Sequence, residues 1–157
     1  MHTQTHTAEE TERFGWQLGR ARPASDDALA VLYLSGELGA GKTTFVRGFL
    51  RACGVTGPVR SPTYTLLELY PVGPVTLLHV DLYRLRGPAE LESLGLREWA
   101  RPGCLWLIEW PERGRGRLPP ADLTLTFTVG AAAHEIEVTA DSEGGRAWLR
   151  LLASGVD

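Results

Sequence analysis

One glycine-rich segment has the residue types needed to bind a phosphate chain. Residues 35–44 read SGELGAGKTT, and Gly36, Gly41, Lys42 and Thr43 match the pattern G-x-x-x-x-G-K-[ST]. Glycines leave room for backbone N–H groups around phosphate oxygens, and a following helix adds its positive end. Lys42 is the only lysine of the chain, and its slim ammonium fits between phosphates better than a planar guanidinium does.

Residues 36–44, which we call the glycine loop, are therefore predicted to bind a nucleotide. The predicted contacts are Gly36, Glu37, Leu38, Gly39, Ala40, Gly41, Lys42, Thr43 and Thr44. A guanine-selective site commonly contains the pattern N-K-x-D, but the chain has no asparagine at all. This absence favours adenine, so we expect ATP or ADP, together with Mg²⁺, as the cofactors.

Two acidic residues each close an apolar run, and both are candidates for the magnesium site. Asp81 follows LLHV, and Glu109 follows CLWLI. The carboxyl ends of parallel strands meet at one edge of a sheet, where a phosphate-binding loop also lies. Mg²⁺ at such a site takes the loop hydroxyl, here that of Thr43, and a nearby carboxylate. Either acid qualifies, and an ordinary strand-terminal acid is the alternative for each.

The hydrophobic pattern predicts the elements that must bring these groups together. Short apolar runs predict strands at 30–34, 65–70, 75–80 and 104–108, and alternation predicts a hairpin at 123–129 and 135–139. Helical spacing predicts helices over 8–22, 44–54, 88–99 and 147–152. This order indicates an α/β fold of the P-loop NTPase type, a three-layer sandwich whose central parallel sheet has antiparallel edge strands.

Length and composition limit the class of protein. A chain of 157 residues fits one domain, 1–157, and we expect residues 1–8 to form a disordered tail. No apolar run reaches the roughly 20 residues that span a bilayer, and no signal segment is visible, so we expect a cytoplasmic protein without membrane contact. The net charge of −3 disfavours a free-standing nucleic-acid binder. Cys53 and Cys104 lack metal-binding spacing.

Four segments taken together indicate a family. GELGAGKTT, SPTY, HVDLYR and EWPER occur in this order between about Glu10 and Pro120. In order and spacing they resemble the TsaE family, also called YjeE, which comprises small bacterial ATPases of tRNA threonylcarbamoyladenosine synthesis. The combination is far more specific than the glycine loop alone. The resemblance implies an SPTY segment that acts as a switch and an EW pair that follows a second buried strand.

The resemblance also implies roles for individual residues. Lys42, Asp81 and Thr63 correspond to catalytic positions: Thr63 is the switch threonine near the γ-phosphate, and Asp81 positions water or supports the metal. Thr43 and Glu109 correspond to the magnesium ligands.

Two further positions correspond to nucleotide contacts, and a third departs from the family pattern. Trp110 matches a neighbour of the nucleotide, and Thr11 matches an N-terminal threonine close to it. His134 stands where some members carry an arginine that contacts the nucleotide. The resemblance implies TsaD and TsaB as partners, which transfer the threonylcarbamoyl group to tRNA, so that tRNA is reached only through the complex. ATP hydrolysis supports repeated turnover of that complex.

Other interpretations of the same residues stay open. A small-molecule kinase would share the glycine loop but would need an acceptor pocket and a lid, for which residues 112–117 are the only candidate. A nucleotide-binding scaffold without catalysis is a third class. His79 either tunes the site or is an ordinary buried histidine. Arg113, Arg115 and Arg117 contact RNA or a partner, supply an arginine finger, or form a solvated loop. Tyr83 and Arg84 contact a partner or a phosphate, or leave the strand for solvent.

Overall fold

The computed structural model describes residues 1–24 and 26–155, and the strands of these residues form a single sheet. The strands are β1 (His2–Thr5), β2 (Ala30–Gly36), β3 (Leu67–Val72), β4 (Val75–Asp81), β5 (Cys104–Glu109), β6 (Leu123–Val129) and β7 (His134–Ala140). The helices are α1 (Ala8–Arg20), α2 (Lys42–Ala52), α3 (Pro88–Ser93) and α4 (Glu143–Ala153). Two 3-10 turns cover Leu96–Trp99 and Pro111–Gly114.

The sheet is parallel in its centre and antiparallel at both edges. Its strand order is β1-β7-β6-β2-β5-β4-β3. Strands β6, β2, β5 and β4 run parallel, whereas β3 pairs antiparallel with β4, β7 with β6, and β1 with β7. The predicted arrangement of a parallel centre with antiparallel edge strands is confirmed. Because β2, β5 and β4 are neighbours, their carboxyl ends lie side by side.

Helices cover both faces of this sheet, which gives the three predicted layers. Along β5, Leu105 and Leu107 belong to one buried cluster, while Trp106 and Ile108 belong to the other. The first cluster includes side chains of α1, α2 and α4, and the second includes Leu91 of α3. Strands that are buried on both faces read as continuous apolar runs, which is why this strand could be found from sequence.

The helix α1 approaches α2 so closely that the contact requires glycine. A Cβ atom at Gly15 would overlap the carbonyl oxygen of Phe45, and one at Gly48 would overlap that of Glu12. The rings of Phe14 and Phe45 lie beside this crossing, with centroids 5.8 Å apart. Since α2 begins directly after the glycine loop, the crossing brings the first turn of α1 to that loop.

The expectation of a disordered tail at residues 1–8 is wrong. His2 to Thr5 form β1, which pairs in antiparallel register with Glu137 to His134 of β7. The amino group of Met1 donates a hydrogen bond to the carbonyl of Val138 at 2.9 Å. Without β1, the outer edge of β7 would expose unpaired N–H and C=O groups. Backbone pairing, to which side-chain polarity is a poor guide, therefore orders this segment.

The boundaries of all four predicted helices differ from the structure, and α2 covers Lys42–Ala52 instead of 44–54. The helix predicted over 88–99 is interrupted at Gly95, whose φ of 67° is left-handed, so α3 is followed by a separate 3-10 turn. Helix α1 ends at Arg20, before the predicted boundary. Helix α4 begins earlier than predicted because Ser142 caps it, its Oγ accepting a hydrogen bond from the N–H of Gly145 at 3.0 Å.

Two further observations concern expectations from composition. No helix within the described part of the chain is long and apolar enough to cross a membrane. Both cysteines are free, and burial raises the pKa of the Cys53 thiol to about 11. That thiol is therefore protonated and unreactive at neutral pH.

Candidate functional site

The glycine loop has a backbone that only glycine adopts without strain. Gly36, Gly39 and Gly41 have φ values of 142°, 79° and 101°. A Cβ atom at Gly36 would also overlap the carbonyl oxygen of Phe127 on β6. The loop connects the end of β2 to the first residue of α2, Lys42. Its glycines are thus required by the local conformation, and the N–H groups at the start of α2 face the same side as the loop.

Lys42 is held in a defined place beside this loop. Its Nζ donates hydrogen bonds to the carbonyl oxygens of Gly36 at 2.5 Å and Glu37 at 2.7 Å. The ammonium also lies 4.5 Å from the ring centroid of Trp110, a cation–π distance. Burial lowers the pKa of Lys42, although the nearby carboxylates, led by that of Glu109, raise it. The only lysine of the chain is therefore a buried, preoriented cation.

Thr43, Glu109 and His79 form a hydrogen-bonded chain through the sheet edge. The Thr43 hydroxyl donates to the Glu109 carboxylate, with Oγ1 lying 3.1 Å from Oε1 and 3.2 Å from Oε2. On the other side of that carboxylate, His79 Nε2 lies 2.6 Å from Oε2. Glu109 is only 2% exposed, and His79 is fully buried. The carboxylate therefore has a fixed orientation toward the hydroxyl that follows Lys42.

Hard oxygen donors of this kind fit magnesium. Mg²⁺ usually takes one or two protein oxygens and fills its other positions with water and phosphate oxygens. The Thr43 hydroxyl and the Glu109 carboxylate supply two such oxygens next to the glycine loop. Among residues 1–24 and 26–155, no group of three or more His, Cys, Asp and Glu side chains could hold a metal alone. The donor set suits an ion that is shared with phosphates.

Asp81 lies next to Glu109 in the sheet, but in a different environment. The two residues are register partners of β4 and β5. Asp81 Oδ1 accepts a hydrogen bond from the N–H of Tyr83 at 3.0 Å, and the residue is 8% exposed. Burial raises the pKa of the Asp81 carboxyl, and the Glu109 charge adds to that effect, while the Tyr83 hydrogen bond opposes it. Two acids at one edge thus differ in their contacts.

At neutral pH the charged Asp81 carboxylate is expected to lower the free energy of unfolding, and Asp81→Asn should remove this destabilisation. A raised pKa means that the folded state holds this proton more tightly than the unfolded chain. The protonated Asp81 carboxyl therefore stabilises the fold fully below its ordinary pKa of 3.8, and this stabilisation is lost as the pH rises through the raised pKa. At pH 7, without nucleotide, Asp81→Asn should raise Tm by about 2–4 °C.

The measurement for Asp81→Asn is thermal unfolding between pH 3 and 8. The gain should shrink as the pH falls, because the wild-type carboxyl then becomes neutral too. Glu112→Gln, a change of the same kind at an exposed neighbouring acid, is the control and should change Tm little. An Asp81→Asn variant that is less stable than the wild type at pH 7 would contradict this account.

A cleft of about 350 Å³ joins these groups to the SPTY segment. Thr63 lines it and is half-buried, with its Oγ1 lying 2.7 Å from the Oγ of Ser61. Trp110 lines the same cleft in a left-handed conformation with φ of 58°. The structure therefore brings Thr63 and Trp110 together with Lys42, Thr43, Asp81 and Glu109.

A second groove, of about 310 Å³, also borders the glycine loop. Thr11 lines it and donates to Thr5 Oγ1 at 2.8 Å, while His134 Nδ1 lies 3.1 Å from the carbonyl oxygen of Ala40. A Cβ atom at Gly41 would lie 3.2 Å from Thr11 Cγ2 and 3.8 Å from His134 Nδ1, so both side chains are close to this glycine. Thr44 lines both spaces. The loop thus borders two polar clefts, one that contains two carboxylates and one that contains none.

The remaining loop residues differ in exposure. Ala40 is buried, whereas Glu37 and Leu38 are exposed, and Leu38 is 62% exposed despite its apolar side chain. Leu38 and Gly39 line the first cleft. Six of the nine residues of the predicted loop thus line one of the two clefts. Gly36, Glu37 and Ala40 line neither and act through their backbone carbonyls, which contact Lys42 and His134.

Sequence reasoning missed several contacts of this site. Thr5 was assigned to the tail, yet it lines the second groove. The stacking of Trp110 on Lys42 depends on a left-handed residue that no sequence signal marks. The sequence left Tyr83 open between a contact and solvent, whereas in the structure its ring lies 4.9 Å from that of Trp110. The sequence feature that indicated a role for His79 was its position on the strand that ends in Asp81.

Comparison with known proteins assigns the chain to a family. The family model of the threonylcarbamoyl adenosine biosynthesis protein TsaE matches residues 5–137. The tRNA threonylcarbamoyladenosine biosynthesis protein TsaE of Haemophilus influenzae is 45% identical over 116 residues, which cover 74% of this chain and 73% of that protein. The protein of the same name from Bacillus subtilis is 40% identical over 116 residues, with coverages of 74% and 72%.

A solved structure agrees with this assignment. The crystal structure of Bacillus subtilis YdiB superimposes on this chain with a TM-score of 0.80 and 30% sequence identity, and the match covers 98% of this chain and 94% of YdiB. The family model includes the glycine loop and strands β2 to β6, and the structural match covers nearly the whole chain. The chain belongs to the TsaE family.

Proposed function

We propose that this TsaE-family protein binds and hydrolyses ATP with Mg²⁺ as an accessory protein of tRNA threonylcarbamoyladenosine formation in the cytoplasm. The observation that carries the proposal is the convergence of Lys42, Thr43, Asp81 and Glu109 at one sheet edge, around the glycine loop. These groups match the cation, hydroxyl and acids that phosphoryl transfer needs. The names of the Haemophilus and Bacillus relatives support the pathway.

Each residue has a part in this chemistry. Backbone N–H groups of the glycine loop hold the phosphates, and the Lys42 ammonium stabilises charge on the β- and γ-phosphoryl oxygens. Thr43 and Glu109 hold magnesium, which supplies charge neutralisation when bound. Asp81 orients the attacking water, and Thr63 approaches the γ-phosphate from the switch segment.

The second groove accommodates the nucleoside under this proposal. It borders the glycine loop without including either acid, and it contains hydroxyl and imidazole groups but no carboxylate. Thr11 and His134 are its polar side chains closest to Gly41. A nucleotide that crosses the loop would place its phosphates beside Lys42 and its sugar and base beside Thr11. His134 thereby takes the place of the arginine found in other members.

TsaD and TsaB are the proposed partners, with tRNA reached through them. The test is magnesium-dependent ATP turnover by the purified chain alone, and then with TsaD, TsaB and tRNA. We expect weak turnover alone and a clear increase in the complex. Turnover that is unaffected by the partners would contradict the accessory role, and the appearance of an ATP-derived phosphorylated metabolite would favour the kinase class. Binding without any hydrolysis in either condition would favour the scaffold class.

A further inference from the structure

Five arginines form one surface beside the first cleft. Arg84 and Arg86 follow β4, while Arg113, Arg115 and Arg117 lie in and after the 3-10 turn that follows β5. We call these five residues the arginine surface. All five are exposed, and they border two adjoining depressions of about 770 Å³ and 230 Å³ that share Arg86 and Arg113. One third of the 15 arginines is thus gathered on a protein whose net charge is −3.

The positive charge of this surface is mostly uncompensated. Within the described residues, only Arg117 of the five lies within 4.0 Å of a carboxylate, that of Glu92 at 3.6 Å. Glu92 is shared with Arg97 at 2.9 Å. An exposed ion pair of this kind contributes little to stability. The surface is therefore not explained by stabilisation of the fold, and it presents guanidinium groups that are free to bind an anionic partner.

Stacking on tyrosine rings holds two of these arginines in place. Arg84 Cζ lies 4.9 Å from the ring centroid of Tyr64, and Arg113 Cζ lies 5.4 Å from that of Tyr83. Tyr64 is itself 83% exposed, which is unusual for a large ring with no covering element. Guanidinium groups that are already oriented lose less conformational entropy when they bind carboxylates. Tyrosine and arginine are also the residues most often found at binding hot spots.

The arginine surface is connected to the glycine loop. Tyr83 and Arg84 line both the first cleft and the larger depression. Arg113 stacks on Tyr83, the Tyr83 ring lies 4.9 Å from that of Trp110, and the Trp110 ring lies 4.5 Å from the Lys42 ammonium. A molecule that docks on this surface would therefore sit at the mouth of the cleft and contact one end of a stack that reaches Lys42.

The local charges favour a protein rather than RNA as the occupant. Glu90 borders the larger depression, and Glu92 and Glu112 lie near the other arginines. A run of phosphates would meet these carboxylates as well as the guanidinium groups, and the net negative charge of the chain opposes a polyanion at longer range. A protein surface with separated Asp and Glu side chains pairs with the arginines individually and avoids the acids.

We propose that the arginine surface docks an acidic patch of a partner protein against the mouth of the phosphate cleft. This inference rests on the proposed function for the identity of the partner, which is the TsaD–TsaB complex. The inference adds which surface of this protein contacts the partner, and it adds that the contacted surface of the partner is acidic. We choose Arg86 and Arg115 for substitution, because both border the smaller depression and neither lines the first cleft.

The test compares binding of two charge-reversed variants to the purified TsaD–TsaB complex by isothermal titration calorimetry. In Arg86→Glu/Arg115→Glu we expect affinity to fall by at least about tenfold, and the remaining binding to depend less on salt. Arg13→Glu/Arg20→Glu has the same change in charge on α1, which belongs to the other helical layer. This control should bind within about twofold of the wild type. Both variants should keep the wild-type Tm and basal ATP turnover.

Partner binding tests the docking surface, whereas ATP turnover tests the proposed function. Wild-type affinity in Arg86→Glu/Arg115→Glu would overturn the docking surface and leave the proposed ATPase untouched. Partner binding that is lost in this variant, in a protein without any ATP hydrolysis, would support the surface and overturn the proposed function. Failure of the wild type to bind the complex would contradict both the surface and its partner. Tight binding of free tRNA, lost in the same variant, would assign the surface to RNA instead of protein.

Discussion

Lys42→Ala is expected to reduce ATP turnover by about 10³-fold or more, because it removes the buried cation beside the glycine loop that would contact the phosphates. In the structure that ammonium is already fixed by the carbonyl oxygens of Gly36 and Glu37 and by the ring of Trp110. Preoriented charge of this kind acts on the transition state without reorganisation during the reaction. Weaker ATP binding should accompany the loss of turnover.

Lys42→Arg should fail nearly as completely, although it keeps the charge. Lys42 is only 4% exposed, and its ammonium is enclosed between the loop carbonyls and an aromatic ring. A planar guanidinium is wider and directs its donors in a fixed fork, so it cannot occupy that space without moving the loop. The geometry of this enclosure explains why a chain with 15 arginines has a lysine at this position.

Single-turnover and steady-state ATP hydrolysis, together with binding of a fluorescent ATP analogue, measure these effects. Arg47→Ala is the matched control, since Arg47 is an exposed cation on the same helix, where it pairs with Glu12 at 3.9 Å. It should leave turnover within about twofold of the wild type. Substantial turnover in Lys42→Ala would show that the hydrolysis site lies elsewhere, or that a contaminating enzyme produces the signal.

The features that were predictable from sequence are those with a strong local cause. Strand β5 is apolar on both faces because helices cover both, so its run of five apolar residues stands out, and it ends at Glu109. The glycine loop is marked by residues that its left-handed backbone requires. Parallel neighbours with acids at their ends then place Asp81 and Glu109 together, as their register shows.

The features that were missed depend on contacts between distant segments. Strand β1 is polar and is ordered by backbone pairing with β7, more than 120 residues away, so no local pattern marks it. The second groove combines this strand with α1 and the loop between β6 and β7. Likewise, His79 could be a tuning residue or an inert one until the structure placed its Nε2 at 2.6 Å from Glu109. Side-chain partners of this kind need the assembled sheet.

Glu109→Gln is expected to reduce turnover by about 10²–10³-fold while the fold is kept. The amide has nearly the same shape, and its oxygen can still accept from Thr43 or His79, so the buried hydrogen bonds are largely retained. It lacks the negative charge that a magnesium ligand provides, however. ATP binding should therefore lose most of its dependence on Mg²⁺, whereas binding in EDTA should stay near the wild-type level.

The comparison with Asp81→Asn separates the two acids. If Glu109 holds the metal and Asp81 orients water, Asp81→Asn keeps the magnesium dependence of ATP binding and loses turnover, while Glu109→Gln loses both. Titrations of ATP binding against Mg²⁺ for both variants decide this, and Glu112→Gln, at an exposed acid three residues along, controls for the change in charge. The opposite pattern would exchange the roles. The hydrogen bonds argue against that exchange, since Glu109 is the acid that the Thr43 hydroxyl and the buried His79 hold from two sides, whereas Asp81 is held by one backbone N–H.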